Sequence, residues 1–354
     1  MKIAILSAAS AIHTIRWCNG LASLDHEIFL ISAHKLLEPL ASNIKYYQLS
    51  NKAPLGYYTN SHELKKILRQ IKPEILNVHF ASGYGTLGRL SGFTPLLLSV
   101  WGSDVYDFPE KSVLHKWIVS RNIREADAIA STSYCMLEVT QRLYNHNKTF
   151  ITPFGIDVKE FYSQKKEDPS DFIYGTVKTL SYKYGIDTLI RAFKIVIDSS
   201  GGDKPFLEIT GDGPDRNKLE NLAENLGIKD QVRFIGMKQH EEVAEQLHRM
   251  DVYVALSRLD SESFGVAILE ASACGLPVIV SDVDGLKEVT RHMETGIVVP
   301  RESPEKAAQA MLKLAGDKKL RKRLGDNGRN LVNEKYTWDY SLESMITAYI
   351  CTII

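Results

Sequence analysis

Short apolar runs punctuate this chain at intervals that few architectures accommodate. They fall at residues 3–6, 28–31, 75–80, 96–101 and 128–131, and again at 172–177, 206–210, 232–235, 252–256, 278–281 and 297–299. Runs this short, apolar throughout instead of alternating, read as strands buried on both faces. Between them lie helix-patterned stretches such as ELKKILRQIK at 63–72, the crossovers that neighbouring parallel strands require. A single core seldom grows beyond about 250–300 residues, so two sets of runs in 354 residues predict two doubly wound α/β domains. The expected division is 1–155 and 156–335. A polar, charged stretch, YSQKKEDPSD at 162–171, reads as the linker, and a last helical stretch at 336–354 is free to pack back on the first domain.

Doubly wound sheets gather ligands at the carboxyl ends of their strands, which draws attention to the loops after the runs. ESFGVAILEASACGLPVIVSD, residues 262–282, places Glu262 in such a loop and Glu270 inside the helix that follows. That helix reads as residues 266–274, stopped by Gly275-Leu276-Pro277. A helix N-terminus presents unpaired N–H groups and positive dipole, an end suited to an anionic ligand flanked by two acceptors. The same stretch also reads without a ligand, as a dipole-complementing acid followed by a solvent-facing Glu270. Upstream, YGTVKTLSYKYGIDTLIRAF (174–193) holds Lys178 and Lys183 five positions apart between a strand end and a helix. Two ammonium groups there would neutralise a diphosphate, although lysines in exposed loops are ordinarily just solvated. LEITGDGPDRNKLENLAENLG (207–227) repeats the plan, with Gly211 and Gly213 permitting close backbone approach to a ligand. No G-x-G-x-x-G follows the first run, where SAASAIHTIRW stands, and no Walker loop occurs.

Composition narrows the classes further. The formal net charge is +0, which argues against a dedicated nucleic-acid binder. Residues 1–155 nevertheless carry 16 Lys+Arg against 11 Asp+Glu, a basic bias that, with the helix at 63–72, is compatible with an anionic membrane and equally with an ordinary solvated face. The four cysteines, Cys18, Cys135, Cys274 and Cys351, are scattered without metal or disulfide spacing, as in a reducing compartment. MKIAILSAASA reads as strand and loop leading into a helix instead of a signal peptide, and no stretch approaches the roughly 20 apolar residues of a transmembrane helix.

Four elements in order, TPFGID, VKTLSYKYG, GDGP with VRFIG, and ESFGVAILEASACGLPVI followed by TGIVVP, resemble the retaining, nucleotide-sugar-dependent glycosyltransferases of family four. The likeness is dense over about 150–300 and looser before it. It implies the GT-B fold, in which two Rossmann-like domains face each other across a cleft, the first binding the acceptor and the second the donor. It implies that Glu262 contacts hydroxyls of the donor sugar and Glu270 the ribose hydroxyls, while amides around Ser263, Phe264 and Gly265 cradle the diphosphate. Lys178 and Lys183 take the place of the family's basic pair, usually Arg then Lys; Lys178 keeps the charge and loses the bidentate fork. Gly211, Gly213, Ile235 and Gly236 fall in the remaining donor-side motifs. In the first half HTIRW, ILNVHF and WGSDVYDFP carry the likeness. Asp104 keeps its motif place and joins the catalytic candidates, with His13, His79 and Trp101 on the acceptor side; relatives usually carry a His where Trp101 stands. The resemblance further implies transfer with retention and without metal or other cofactor. Its partners would be a nucleotide-sugar donor and a glycan or lipid-linked acceptor, in surface polysaccharide or lipopolysaccharide synthesis on the cytoplasmic face of a bacterial membrane. A nucleotide-sugar epimerase of the same fold and a catalytically inert nucleotide-sugar-binding subunit remain as alternatives, the latter because of Trp101.

Overall fold

A computed structural model describes residues 1–164, 171–201 and 204–354, so most of the expected linker lies outside the described residues. The chain divides into one unit of Met1–Pro153 with Ser341–Ile354, and a second of Phe154–Tyr340.

In the first unit the order is β1 (Lys2–Leu6), α1 (Ile12–Ala22), β2 (Glu27–Ser32), β3 (Lys45–Gln48), α2 (Gly56–Thr59), α3 (Ser61–Ile71), β4 (Ile75–His79), α4 (Gly83–Ser91), β5 (Leu96–Val100), α5 (Val113–Arg124), β6 (Ala128–Ser131), α6 (Tyr134–Leu143) and β7 (Thr149–Ile151). The seven strands pair in parallel in the order β3-β2-β1-β4-β5-β6-β7. β1, β4, β5 and β6 are buried almost throughout, as strands covered on both faces must be. The core joins Leu6, Phe29, Val78, Leu98 and Ile129 of the sheet to Leu64, Leu68, Leu87 and Ile123 of the helices. α3 shows how the sequence chooses its faces. Leu64, Ile67, Leu68 and Ile71 are buried at helical spacing while Lys65, Lys66 and Arg69 stay exposed.

The second unit runs β8 (Ile173–Val177), α7 (Ile186–Ser199), β9 (Phe206–Thr210), α8 (Arg216–Asn225), β10 (Val232–Gly236), α9 (His240–Arg249), β11 (Val252–Ala255), α10 (Val266–Ala273), β12 (Val278–Ser281), α11 (Asp284–Val289), β13 (Gly296–Val299), α12 (Pro304–Gly316) and α13 (Lys318–Lys335). Its six parallel strands lie in the order β10-β9-β8-β11-β12-β13. Tyr174, Leu207 and Val254 of the sheet pack with Leu189, Phe193, Leu219, Met311 and Leu314 of the helices. In both sheets the chain first winds one way from its initial strand and then returns to the other side of it. The reversal points, between β1 and β4 and between β8 and β11, are where doubly wound sheets open a crevice.

Among the described residues, eleven of the thirteen strands coincide with apolar runs, within a residue or two at the ends. β3 and β7 were not expected. Both are sheet edges, and β3, Lys-Tyr-Tyr-Gln, is exposed at both ends and only half-buried between them. An edge strand needs no continuous apolar run and leaves no such signature.

The helix at the end of the chain, α14 (Trp338–Ile353), begins in the second unit and contributes Ser341 onward to the first. Its Tyr349 is fully buried and its hydroxyl accepts a hydrogen bond from Asn77 Nδ2 of β4 at 2.8 Å, while Ser99 Oγ donates to Asn77 Oδ1 at 2.8 Å. Tyr349→Phe would leave the buried amide short of its oxygen partner. The expected loss is about 1–2 kcal/mol of unfolding free energy, read from urea midpoints at unchanged slope.

Candidate functional site

Two loops flank the reversal point of the second sheet. One runs from the end of β8 into α7 and carries Lys178 and Lys183; the other leaves β11 and carries Glu262. The glycines expected to admit a ligand admit close approach of this chain's own backbone. Gly211 has φ +129°, and a Cβ there would run into the Lys178 carbonyl, while a Cβ on Gly213 would meet the Leu180 carbonyl. Hydrogen bonds from Lys178 N to Thr210 O and from Leu180 N to Asp212 O, both 3.0 Å, hold the loops after β8 and β9 together. Gly236 closes the same edge, its carbonyl accepting from Gly211 N at 2.8 Å, with Ile235 half-buried beside it.

Glu262 stands between the two lysines. Lys178 Nζ donates to its Oε1 at 2.5 Å, and Lys183 Nζ lies 3.5 Å from its Oε2 while donating to the Ser261 carbonyl at 2.8 Å. The Tyr184 ring lies 5.2 Å and 5.4 Å from the two ammonium groups, within cation–π range. Burial raises the Glu262 carboxyl, but Lys178 first and Lys183 second outweigh it, so its pKa falls below the usual carboxylate range. Burial likewise opposes the charge on Lys178, and the Glu262 carboxylate more than offsets it, leaving that ammonium harder to deprotonate than a free lysine. Two cations against one anion leave a local positive excess at the carboxyl end of the sheet.

The α10 N-terminus adjoins this cluster through Ser263, Phe264 and Gly265. Gly265 caps the helix at φ +74°, and Phe264 is buried with its ring centroid 6.1 Å from that of Phe154 and 5.9 Å from that of Tyr336. Within the helix Glu270 is only 8% exposed, so it is not the solvent-facing acid of the ligand-free reading. Its Oε1 lies 4.0 Å from His240 Nε2 at the start of α9. Burial, and then the Glu270 charge, push the Cys274 thiol up to about 12.

In the first unit the corresponding reversal point carries the aromatic candidates. The Trp101 ring lies 4.4 Å from that of His79, 5.0 Å from Phe80 and 6.1 Å from His13. His79 is fully buried and presents no surface to a ligand. Its Nδ1 is 3.1 Å from Ser7 Oγ, and burial pushes its pKa down to about 3, which keeps the ring neutral. His13 and Trp101 are half-buried. Asp104 is spent on the backbone. Its Oδ2 accepts from Ala81 N at 2.7 Å, and its Oδ1 accepts from Trp101 N at 3.1 Å and Gly102 N at 2.9 Å. Burial raises its pKa against the pull of those bonds, and its visible work is to join the loops after β4 and β5.

Two contributors were not legible in the sequence, the Ser261 carbonyl and Arg258: neither belongs to a quoted motif, and each acts through a contact between the loops after β8 and β11. Tyr184 lies inside VKTLSYKYG, but the contact of its ring with both lysines of that loop leaves no mark in the pattern. Among the described residues no three His, Cys, Asp or Glu side chains converge as metal ligands, and no helix is long and apolar enough to cross a membrane.

The charge cluster makes a stability prediction. Glu262→Gln leaves two crowded ammonium groups without their carboxylate and should cost about 3 kcal/mol at neutral pH. The wild-type contribution is present above the unfolded carboxyl pKa of about 4.3 and is lost as pH falls through the lower folded value. The gap between the two proteins should therefore narrow toward pH 3, measured by urea unfolding at both pH values.

Residues 157–331 match the family model Glycosyl transferases group 1, and residues 2–133 match Glycosyl transferase 4-like. The chain is 24% identical over 351 residues to N-acetyl-alpha-D-glucosaminyl L-malate synthase of Bacillus anthracis, covering 93% of this chain and 90% of that one. Among solved structures it is similar to sucrose-phosphate synthase from Thermosynechococcus elongatus, with TM-score 0.85, 20% identity and 99% and 98% of the two chains covered. It is also similar to Anabaena HepE in complex with UDP, with TM-score 0.83, 15% identity and 99% and 100% covered. The fold is that of the GT-B glycosyltransferases.

Proposed function

The chain belongs to the glycosyl transferases group 1 family, and on that premise we propose that it moves a sugar from a nucleoside-diphosphate sugar to an acceptor hydroxyl with retention at the anomeric carbon. The observation that carries the proposal is the pair of ammonium groups, Lys178 nearly buried and Lys183 half-buried, held at the sheet's reversal point beside the α10 N-terminus. In the reaction the bond from the anomeric carbon to the diphosphate oxygen breaks while a bond to the acceptor oxygen forms on the same face. The departing phosphate oxygen takes the acceptor proton. Negative charge grows on the diphosphate, where the lysines and the amides around Phe264 and Gly265 lower the barrier. No metal is required in this reading, since those groups supply the positive field. Glu262 exchanges its lysines for donor-sugar hydroxyls as the diphosphate arrives, and Glu270 holds the ribose hydroxyls. The Anabaena neighbour binds UDP, which makes uridine diphosphate sugars the first donors to try.

The acceptor belongs to the first unit in this reading, near His13 and Trp101. Its setting is surface polysaccharide or lipopolysaccharide synthesis at the cytoplasmic face of a membrane, with the exposed Lys65, Lys66 and Arg69 of α3 toward anionic lipid. Trp101 in the place of the family's usual His keeps an inert donor-binding subunit as the second reading, which donor turnover decides.

A thermal-shift series with UDP, GDP, ADP and CMP tests the donor site. One diphosphate should stabilise the protein by about 2.7 kcal/mol at a hundredfold excess over Kd, undiminished by EDTA; a flat series would sink the reading. In steady-state assays Lys183→Ala should lower kcat by about 10²–10³-fold, whereas Glu270→Ala should chiefly raise the donor Kd, by about tenfold. Normal turnover in Lys183→Ala would remove the diphosphate assignment.

A further inference from the structure

Arg258, in the loop after β11, is 8% exposed and spends most of its bonding on the turn around Lys183. Its Nη1 donates to the Tyr182 carbonyl at 2.9 Å, and its Nη2 donates to Asp187 Oδ2 at 2.6 Å and Thr188 Oγ1 at 3.0 Å. Nε donates to Glu302 Oε1 at 2.9 Å, and the guanidinium lies 4.7 Å from the Tyr182 ring centroid. The Arg258 backbone N–H takes the carbonyl of Lys183 itself at 2.8 Å. These acceptors bracket Lys183 on both sides. Between them Gly185, at φ +61°, lets the turn press so closely on the loop after β11 that a Cβ would strike the Leu256 carbonyl.

The loop that bears Arg258 is itself anchored. Arg301 donates to the Arg258 carbonyl at 3.2 Å, to Asp260 Oδ2 at 3.1 Å and to the Asp282 carbonyl at 2.8 Å. Lys183 then reaches back across the gap to the Ser261 carbonyl. Burying a guanidinium carries a desolvation cost that an apolar side chain would avoid. What the planar fork adds is direction, since it meets several acceptors of one short turn at once.

We propose that Arg258 is a positioning residue that fixes the turn around Lys183, and with it the ammonium that meets the donor's diphosphate. The proposal rests on the donor-site reading above. Small displacements of a catalytic charge are costly, of the order of a hundredfold in rate for about 1 Å, and a lysine in place of Arg258 keeps the charge while losing the fork.

Inorganic pyrophosphate is the probe, measured by calorimetry on the full chain. Arg258→Lys should weaken its binding about tenfold, Lys183→Ala about tenfold, and the double variant no more than Lys183→Ala alone, because the first change acts through the second residue. Unchanged affinity in Arg258→Lys, or losses that multiply in the double variant, would overturn the proposal. Acetylation by acetic anhydride, followed residue by residue by mass spectrometry, gives a readout that needs no ligand. Lys183 should label about fivefold faster in Arg258→Lys while Lys178 stays as protected as in the wild type; equal rates at Lys183, or parallel gains at both, overturn it. Wild-type protein that ignores pyrophosphate and every nucleoside diphosphate sinks the donor-site reading, and the labelling result then decides Arg258 by itself. Should Arg258→Lys fail to fold, Asp187→Ala removes one of its acceptors and takes the same tests.

Discussion

A carboxylate held between two ammonium groups, all largely withdrawn from water, is the interaction around which the second unit is organised. Glu262 and Lys178 are too deep to be charged without a partner, so the loops after β8 and β11 have to arrive together. Secondary structure by itself does not guarantee that. Lys178 leaves the end of β8 directly, positioned by the strand; Lys183 sits five residues on, in a turn whose shape is imposed from the neighbouring loop. The close approaches at Gly185, Gly211 and Gly213 are the local means by which the loops meet. In the proposed function stability and chemistry are tied, because the groups that hold the loops in register are those that would receive a diphosphate.

The two units differ in this respect. At the reversal point of the second sheet, charge is concentrated and partly in excess. In the first unit the ionisable candidates are quenched: His79 is kept neutral by burial and Asp104 is surrounded by backbone donors. What the first unit offers at its reversal point is the edge of an aromatic group, Trp101 with His13, framed by a carboxylate that works as scaffold.

The sequence was most informative where local pattern and tertiary role coincide. Interior parallel strands must be apolar on both faces, so their runs were visible, and the helix between Gly265 and Gly275 announced both its ends. Glu262, Glu270, Lys178 and Lys183 were legible as a motif, and the ion pairing of Glu262 to both lysines gives that motif a geometry. Edge strands β3 and β7 lacked a run because one side of an edge has nothing to pack against. The glycines near 211 were read as places where backbone approaches a ligand; the close approach the structure contains is to the chain's own carbonyls, a fact that depends on which loop lies opposite. Arg258 gave no signal at all, since an arginine in a loop announces charge and not the four acceptors that will surround it.

One feature of connectivity reaches beyond the folded state. The first unit obtains residues 341–354 from the far end of the chain, and Tyr349 there completes the hydrogen bonding of Asn77 in the middle of its sheet. A ribosome delivers residues 1–153 long before that helix, so the nascent amino-terminal unit exists for a time with part of its β4 surface and a buried amide uncovered. The second unit has all of its strands within 154–340 and can close as it emerges. Synthesis order and completion order are therefore opposite, and the unit made first is the one that must wait.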